Sequence, residues 1–394
     1  MTSPARRVAL GAGAALGGAA AMSSVSAAAG AVYFARRFLT PDPSRPDDVL
    51  ITAVGDLWVE LARNPETVVP GRYGLWLDGG LGHARIGEPV AGHEDGQTIR
   101  RQVLGLDTGR LRTGPARWNG YFYGVDPYAA LGVPVRDVTF ATELGPMPAW
   151  RFDPDTGATG EWAVLVHGRG ARRHECLRAV KPLLDKGFVV LVPAYRNDED
   201  APAGPDGRYN LGLSEWRDVE SAVSYAASQG ATAVVVGGWS MGGAITLQFL
   251  SQSPLAALVR AAFLDAPVID WGDVLRHHAR LNHVPSSVGR LARTLMGRRW
   301  GRRLVGIHDV LDVARTDWVA RAEEIAHPLL LIHSVDDEFV PSGPSERLAM
   351  ARPDLVTMPR WTGARHTKEW NTDPARWEAQ LARFVAGRGV PSDR

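Results

Sequence analysis

The stretch Ala233-Val-Val-Val-Gly-Gly-Trp-Ser240-Met-Gly-Gly-Ala-Ile-Thr-Leu-Gln-Phe-Leu250 decides how the rest of the chain is read. A short run of valines ends in glycines, and a helix-forming segment follows at once. Gly-x-Ser-x-Gly alone is a weak pattern. Set between a strand and a helix, it describes a sharp turn that lifts the serine hydroxyl off the carboxyl edge of a sheet, at the positive end of the next helix. Gly238 and Gly242 flank Ser240 because a Cβ at either position would clash inside that turn. The competing reading is a glycine-rich βα turn whose serine is idle.

Working outward from the turn, apolar runs alternate with helical patterns from Trp162 onward, which predicts a mostly parallel sheet. The runs are 162–167, 188–193, 233–237, 261–264, 329–332 and 355–358. Between them, Ser214 is placed to cap a helix with Trp216, Val219 and Val223 on its apolar face. A last helix shows Trp377, Leu381, Phe384 and Val385 at helical spacing.

A serine hydroxyl needs a base, and the base needs an orienting acid. Chains built on this turn carry them in the order Ser, then Asp or Glu, then His. Eleven histidines reduce to one by that order: after the acidic loop His333-Ser-Val-Asp-Asp-Glu-Phe-Val-Pro341, only His366 remains. Asp336 and Asp337 both stand just past a strand end, and spacing alone does not choose between them. His167-Gly-Arg-Gly170 follows another strand end, where glycines let backbone N–H groups approach a substrate oxygen. The N–H groups of Met241 and of Gly168 or Arg169 are the expected oxyanion donors.

The 394 residues suffice for more than one domain, and a hydrophobic fraction of 45% with 22% charged residues argues for a folded body. A formal net charge of +1 excludes a chain built to coat nucleic acid. The one cysteine, Cys176, excludes a disulfide framework and a Cys-cluster metal site, and reads as a packing residue. His83 and His93 lack acidic or Cys partners at ligand spacing, so no metal is expected there. Residues 47–152 hold short β-prone runs (73–77, 102–106, 121–125 and 135–140) and read as a strand-rich region. Before them, Arg6 and Arg7 open an uncharged stretch, residues 8–35, closed by Arg36 and Arg37. As a helix it exceeds the roughly 30 Å of a hydrocarbon core, so residues 1–40 are expected to be a membrane anchor, with a cleaved export signal or an unstructured tail as alternatives.

From about Trp162 to the C-terminus the chain resembles the α/β-hydrolase family, and within it the serine aminopeptidase and BEM46-like hydrolases of bacteria. The resemblance rests on His167-Gly168, on Gly-Trp-Ser240-Met-Gly and on His366 coming last. It implies an α/β-hydrolase domain over 153–390, and a catalytic triad of Ser240, His366 and Asp337, since Asp337-Glu-Phe-Val-Pro341 matches the ending of the family's acid motif. It also implies a lid at the helical insertion 267–328. Arg276, Arg280, Arg290, Arg293, Arg298, Arg299, Arg302 and Arg303 lie there with no acidic residue between the first and last. That face is either simply solvated or set against an anionic surface or substrate. His277, His278 and His283 read as surface residues. The implied activity is hydrolysis of a small-molecule or lipid ester without a cofactor. A peptidase or amidase using the same triad, and a non-catalytic tethered binding module, are the alternatives.

Overall fold

The computed structural model describes residues 27–41, 46–94, 96–155 and 157–387. Six antiparallel strands make a closed barrel: β1 (Val49–Val54), β2 (Trp58–Ala62), β3 (Tyr73–Leu77), β4 (Gly82–Glu94), β5 (Thr98–Thr108) and β6 (Gly114–Asn119), in the order β1-β2-β5-β4-β3-β6. β6 pairs back onto β1, so no edge is left open. Alternate residues point inward, as the period of a strand requires, and Val49, Ile51, Val59, Leu61, Leu75 and Ile86 fill the interior.

One inward position on β5 is not apolar. Arg101 is fully buried and donates five hydrogen bonds, to the carbonyls of Thr67, Val69, Gly71 and, twice, Gly87. Its guanidinium lies 5.3 Å and 5.5 Å from the ring centroids of Tyr73 and Trp118. Burial pulls its pKa down to about 10. The arginine thereby fastens the loop between β2 and β3, which has no regular ladder of its own.

The second body is a nine-stranded sheet: β7 (Arg136–Thr142), β8 (Gly145–Phe152), β9 (Glu161–Val166), β10 (Val189–Pro193), β11 (Ala233–Trp239), β12 (Val259–Asp265), β13 (Leu329–Ser334), β14 (Val356–Thr357) and β15 (Arg360–Trp361). The order is β14-β13-β12-β11-β9-β10-β8-β7, with β15 beside β13. β8 is antiparallel to both its neighbours and the other pairings are parallel. Helices Leu177–Leu184, Trp216–Ser228 and Met241–Gln252 connect these strands, and Pro374–Val385 follows the last of them. The central strands are near-continuous apolar runs because both faces are covered.

Several expectations need correction. The strand-rich region 47–152 is not one unit, because the hairpin β7–β8 pairs with β10 and belongs to the larger sheet. Residues 121–125 form a turn rather than a strand, with Phe122 at φ 69° and its ring against Trp370. Ser214 does not cap the helix that follows. The Glu215 carboxylate turns back instead onto the N–H groups of Asn210 and Gly212. Residues 27–39 form a helix that is docked, with Ala31, Ala35 and Leu39 buried and Phe38 edge-on to Trp271 at 5.5 Å. Residues 27–35 are therefore engaged with protein, and the remainder of the expected anchor, 8–26, lies outside the described residues. Among the described residues no helix is long and apolar enough to cross a membrane.

Replacing Arg101 with Met leaves four buried carbonyls without their donor. At about 1.5–3 kcal/mol for a hydrogen bond to a charged group, the loss of stability in denaturant titration is expected to reach at least ~3 kcal/mol. An unchanged midpoint would show that the loop is held by something else.

Candidate functional site

β11 delivers Ser240 into the turn before the helix Met241–Gln252, at φ 51° and ψ −114°, a strained conformation for a residue with a Cβ. The flanking glycines are sterically required. A Cβ at Gly242 would lie 2.1 Å from the Val166 carbonyl oxygen, and one at Gly238 would lie 2.6 Å from that of Gly242. The serine is 8% exposed, with its Oγ 2.9 Å from His366 Nε2. His366 Nδ1 lies 2.7 Å from Asp337 Oδ2. Asp336, the other candidate acid, accepts from the Gly363 N–H instead and is exposed. The structure thus brings Ser240, His366 and Asp337 into one chain of contacts and leaves Asp336 outside it.

Asp337 is held from several sides. Its Oδ1 accepts from the N–H groups of Phe339 and Val340, and Oδ2 is also 3.1 Å from His333 Nε2. Burial alone would raise this carboxyl's pKa. The neighbouring His366 and His333 outweigh burial and hold it well below the ordinary carboxylate range. His333 is a supporting residue that sequence reasoning left without a role, though its i, i+4 spacing from Asp337 was a signal. His277 and His278 lie 2.8 Å and 3.0 Å from the carbonyls of Glu338 and Phe339, and so brace the same loop.

The oxyanion side differs from expectation at one residue. The Gly168 N–H donates to Glu175 Oε2 at 2.7 Å, so it is already taken and not free to donate to substrate. Met241, at the start of its helix, and Arg169 remain. The loop is stiffened by the Tyr195 hydroxyl donating to the Gly168 carbonyl and by the Gly170 N–H donating to the Tyr209 hydroxyl. His167 is buried beneath the loop, 2.8 Å from Asp198, and does not reach the serine.

The segment carrying His366 is clamped between the two bodies. From below, the buried Arg178 donates to the Thr367 carbonyl at 2.8 Å, while Lys368 Nζ donates to that of His366. From above, the Arg72 N–H donates to the Asn371 carbonyl, and Asn371 Nδ2 donates to that of Arg72. Arg365 bridges Glu66 of the barrel and Glu338 of the acid loop.

Ser240 opens onto a cleft of about 430 Å³. The barrel forms one wall with Asp48, Glu66, Trp118 and Tyr121, and Arg37 of the first helix joins it. Arg169, Ala171 and Tyr209 form the other side. The insertion 267–328, expected as a lid, contributes no lining residue. Its helices Trp271–Leu281, Ser286–Met296 and Arg299–Val305 bury their apolar faces against the first helix and the adjoining core. Cys176 is buried in the core beside the oxyanion loop, and burial pushes its thiol pKa up. No cluster of three or more His, Cys, Asp or Glu side chains among the described residues is arranged to hold a metal ion.

A family model described as "Alpha/beta hydrolase family" matches residues 163–392, more than half of the chain. The chain belongs to the α/β-hydrolase family. A second model, a domain of unknown function (DUF8805), matches residues 50–119 and so coincides with the barrel. An esterase from Pyrococcus furiosus superimposes with a TM-score of 0.52 at 17% identity, covering 68% of this chain and 95% of that one. A second crystal form of the same esterase gives 0.51 at 17% identity, covering 67% and 96%. These likenesses are of fold. No curated protein matches the chain in sequence.

Under the hydrolase site lies a pair of buried carboxyls that sequence reasoning did not find. Asp265 ends β12 and accepts from Trp377 Nε1 at 2.7 Å. Glu369 follows His366 and accepts from the Ser334 N–H at 2.8 Å. Asp265 Oδ1 and Glu369 Oε2 have no other partner, and the two groups lie within hydrogen-bonding reach of each other. Burial raises both, and Glu369, which also feels the charges of Asp265 and Asp337, is raised well above the ordinary carboxylate range. Folded protein then holds a proton that the unfolded chain releases near pH 4.3, the ordinary glutamate value of about 4.3. Stability from this pair is full below that pH and falls as pH rises toward the raised folded pKa, by up to about 1.4 kcal/mol per unit. Glu369→Gln keeps a donor that cannot ionise. Its stability relative to the parent is expected to climb with pH across this interval in denaturant unfolding. A difference independent of pH would mean that Glu369 ionises normally.

Proposed function

We propose that the protein is a serine hydrolase that cleaves a carboxylic ester through an acyl-enzyme on Ser240. The observation that carries this reading is the run of contacts from Ser240 Oγ through His366 to Asp337, at 2.9 Å and 2.7 Å. In the proposed reaction His366 takes the Ser240 proton as the oxygen attacks the ester carbonyl. Asp337, kept ionised, orients the ring and stabilises the imidazolium. The oxyanion forms against the N–H groups of Met241 and Arg169, helped by the positive end of the helix. His366 then protonates the departing alcohol, and later activates the water that frees the acid.

The amidase reading uses the same residues, and an aminopeptidase would need an acidic group left open for a free amine. The acidic side chains lining the cleft are engaged. Glu66 and Glu338 share Arg365, Glu175 accepts from Gly168, and Asp48 accepts from the Trp118 N–H. This favours an ester. The Pyrococcus furiosus neighbour is itself named an esterase.

A fluorophosphonate probe is expected to label the parent protein and to leave Ser240→Ala unlabelled. On the best ester of a panel, Ser240→Ala should lose about 10⁴–10⁶ in kcat and Asp337→Asn about 10⁴. Labelling that survives Ser240→Ala would contradict the assignment, and faster turnover of aminoacyl amides than of esters would transfer it to the amidase reading.

A further inference from the structure

The helical insertion, which does not line the cleft, has a surface that the reaction leaves unused. Between helices Trp271–Leu281 and Ser286–Met296 runs a groove of about 280 Å³ with Leu275, Ala279 and Val284 at its floor. Arg276, Arg280, Arg290 and Arg293 stand around it. Arg276 is engaged by Asp270 and Asp273, and Arg290 reaches Ser286. Arg280 and Arg293, and beyond them Arg298, Arg299 and Arg303, have no ion pair or side-chain hydrogen bond among the described residues. No acid interrupts the sequence from 276 to 303. Arg276 apart, this is positive charge without an ion-pair partner around an apolar trough.

Two further observations say what covers it. The adjoining helix Arg299–Val305 packs closely on its predecessor, where a Cβ at Gly301 would lie 2.3 Å from the Leu295 carbonyl oxygen. It leaves Trp300 60% and Leu304 50% exposed, one turn apart, with Arg303 between them. A protruding Trp and Leu among arginines suit a boundary that is apolar within and anionic at its surface. The chain also enters the fold along the same helices. Gly30 lies against Val288, and Arg36 donates to the carbonyls of Leu304 and Val305. In sequence, the uncharged residues 8–26 immediately precede that helix. A nucleic acid or an acidic protein would also answer the arginines; the apolar stretch of sequence entering beside the exposed Trp300 and Leu304 favours a bilayer interface.

We propose that this arginine-bearing face of the insertion docks on a bilayer surface containing anionic phospholipid, with the groove arginines taking lipid phosphates and Trp300 and Leu304 entering the interface. The proposal stands apart from the ester reading, since none of these side chains lines the Ser240 cleft. The full chain is mixed with vesicles of phosphatidylcholine alone or with phosphatidylglycerol added, and bound protein is measured by flotation. Each arginine near such a surface contributes about fivefold to partitioning, so Arg280→Gln, Arg290→Gln and Arg293→Gln together should lower binding to the anionic vesicles by roughly a hundredfold. Binding to neutral vesicles and fluorophosphonate labelling in buffer should be unchanged. The same three positions changed to Lys should retain most of the binding, and Trp300→Ser should weaken it. Equal binding of the parent protein to both vesicle types would overturn the proposal, as would a triple Gln variant that binds like the parent. Displacement by soluble glycerophosphate at matched ionic strength would also overturn it, replacing the surface with a small-anion site.

Discussion

The imidazole of His366 meets Ser240 because the segment from 363 to 372 is gripped from both sides. A histidine on a free loop would sample many positions, and a displacement of about 1 Å can cost a hundredfold in rate. Here Arg178 and Lys368 fix the backbone carbonyls of Thr367 and His366, and the barrel closes over the same segment through Arg72, Asn371 and Arg365. The close approach is built into the backbone. Gly71 has φ 110°, and a Cβ there would lie 2.3 Å from the Asn371 carbonyl oxygen. Arg101, buried within the barrel, holds the loop that contains Gly71. The barrel is thus both a wall of the cleft and part of the support of the base.

Beneath the site the protein concentrates buried charge that would be unfavourable if left unpaired. Glu175 connects the oxyanion loop to the histidine loop: its carboxylate holds the Gly168 N–H, and its backbone carbonyl accepts from Arg178, which in turn holds Thr367. Burial raises the pKa of both Asp265 and Glu369, and each anchors a separate element, the last helix and the end of β13. The oxyanion loop, the acid loop and the histidine loop therefore rest on one hydrogen-bonded foundation. Movement of any one of them would strand a buried polar group.

Much of this was legible in the sequence because the relevant signals are local. The parallel strands are near-continuous apolar runs, the turn at Ser240 is announced by the glycines that its geometry demands, and chain order leaves His366 alone among eleven histidines. What was not legible is non-local. Gly168 is withdrawn from the oxyanion site by Glu175, seven residues on, and nothing in His167-Gly-Arg-Gly170 reports that contact. The hairpin β7–β8 carries the same β-prone composition as the barrel, and only its pairing with β10 assigns it to the larger sheet. The barrel's closure depends on long-range register, and Arg101 occupies a position where alternation alone would call for an apolar side chain. A family resemblance suggested a lid at 267–328, whereas the cleft takes its second wall from the barrel.

The dependence of the base on the barrel can be read from the rate at which a fluorophosphonate labels Ser240 in Gly71→Val. That substitution touches neither the serine nor the histidine, and forces a side chain into the gap against Asn371. With the circular dichroism of the parent retained, labelling should slow by roughly a hundredfold as His366 loses its position. A variant that labels at the parental rate would show that the α/β body holds its base unaided, and would contradict the account.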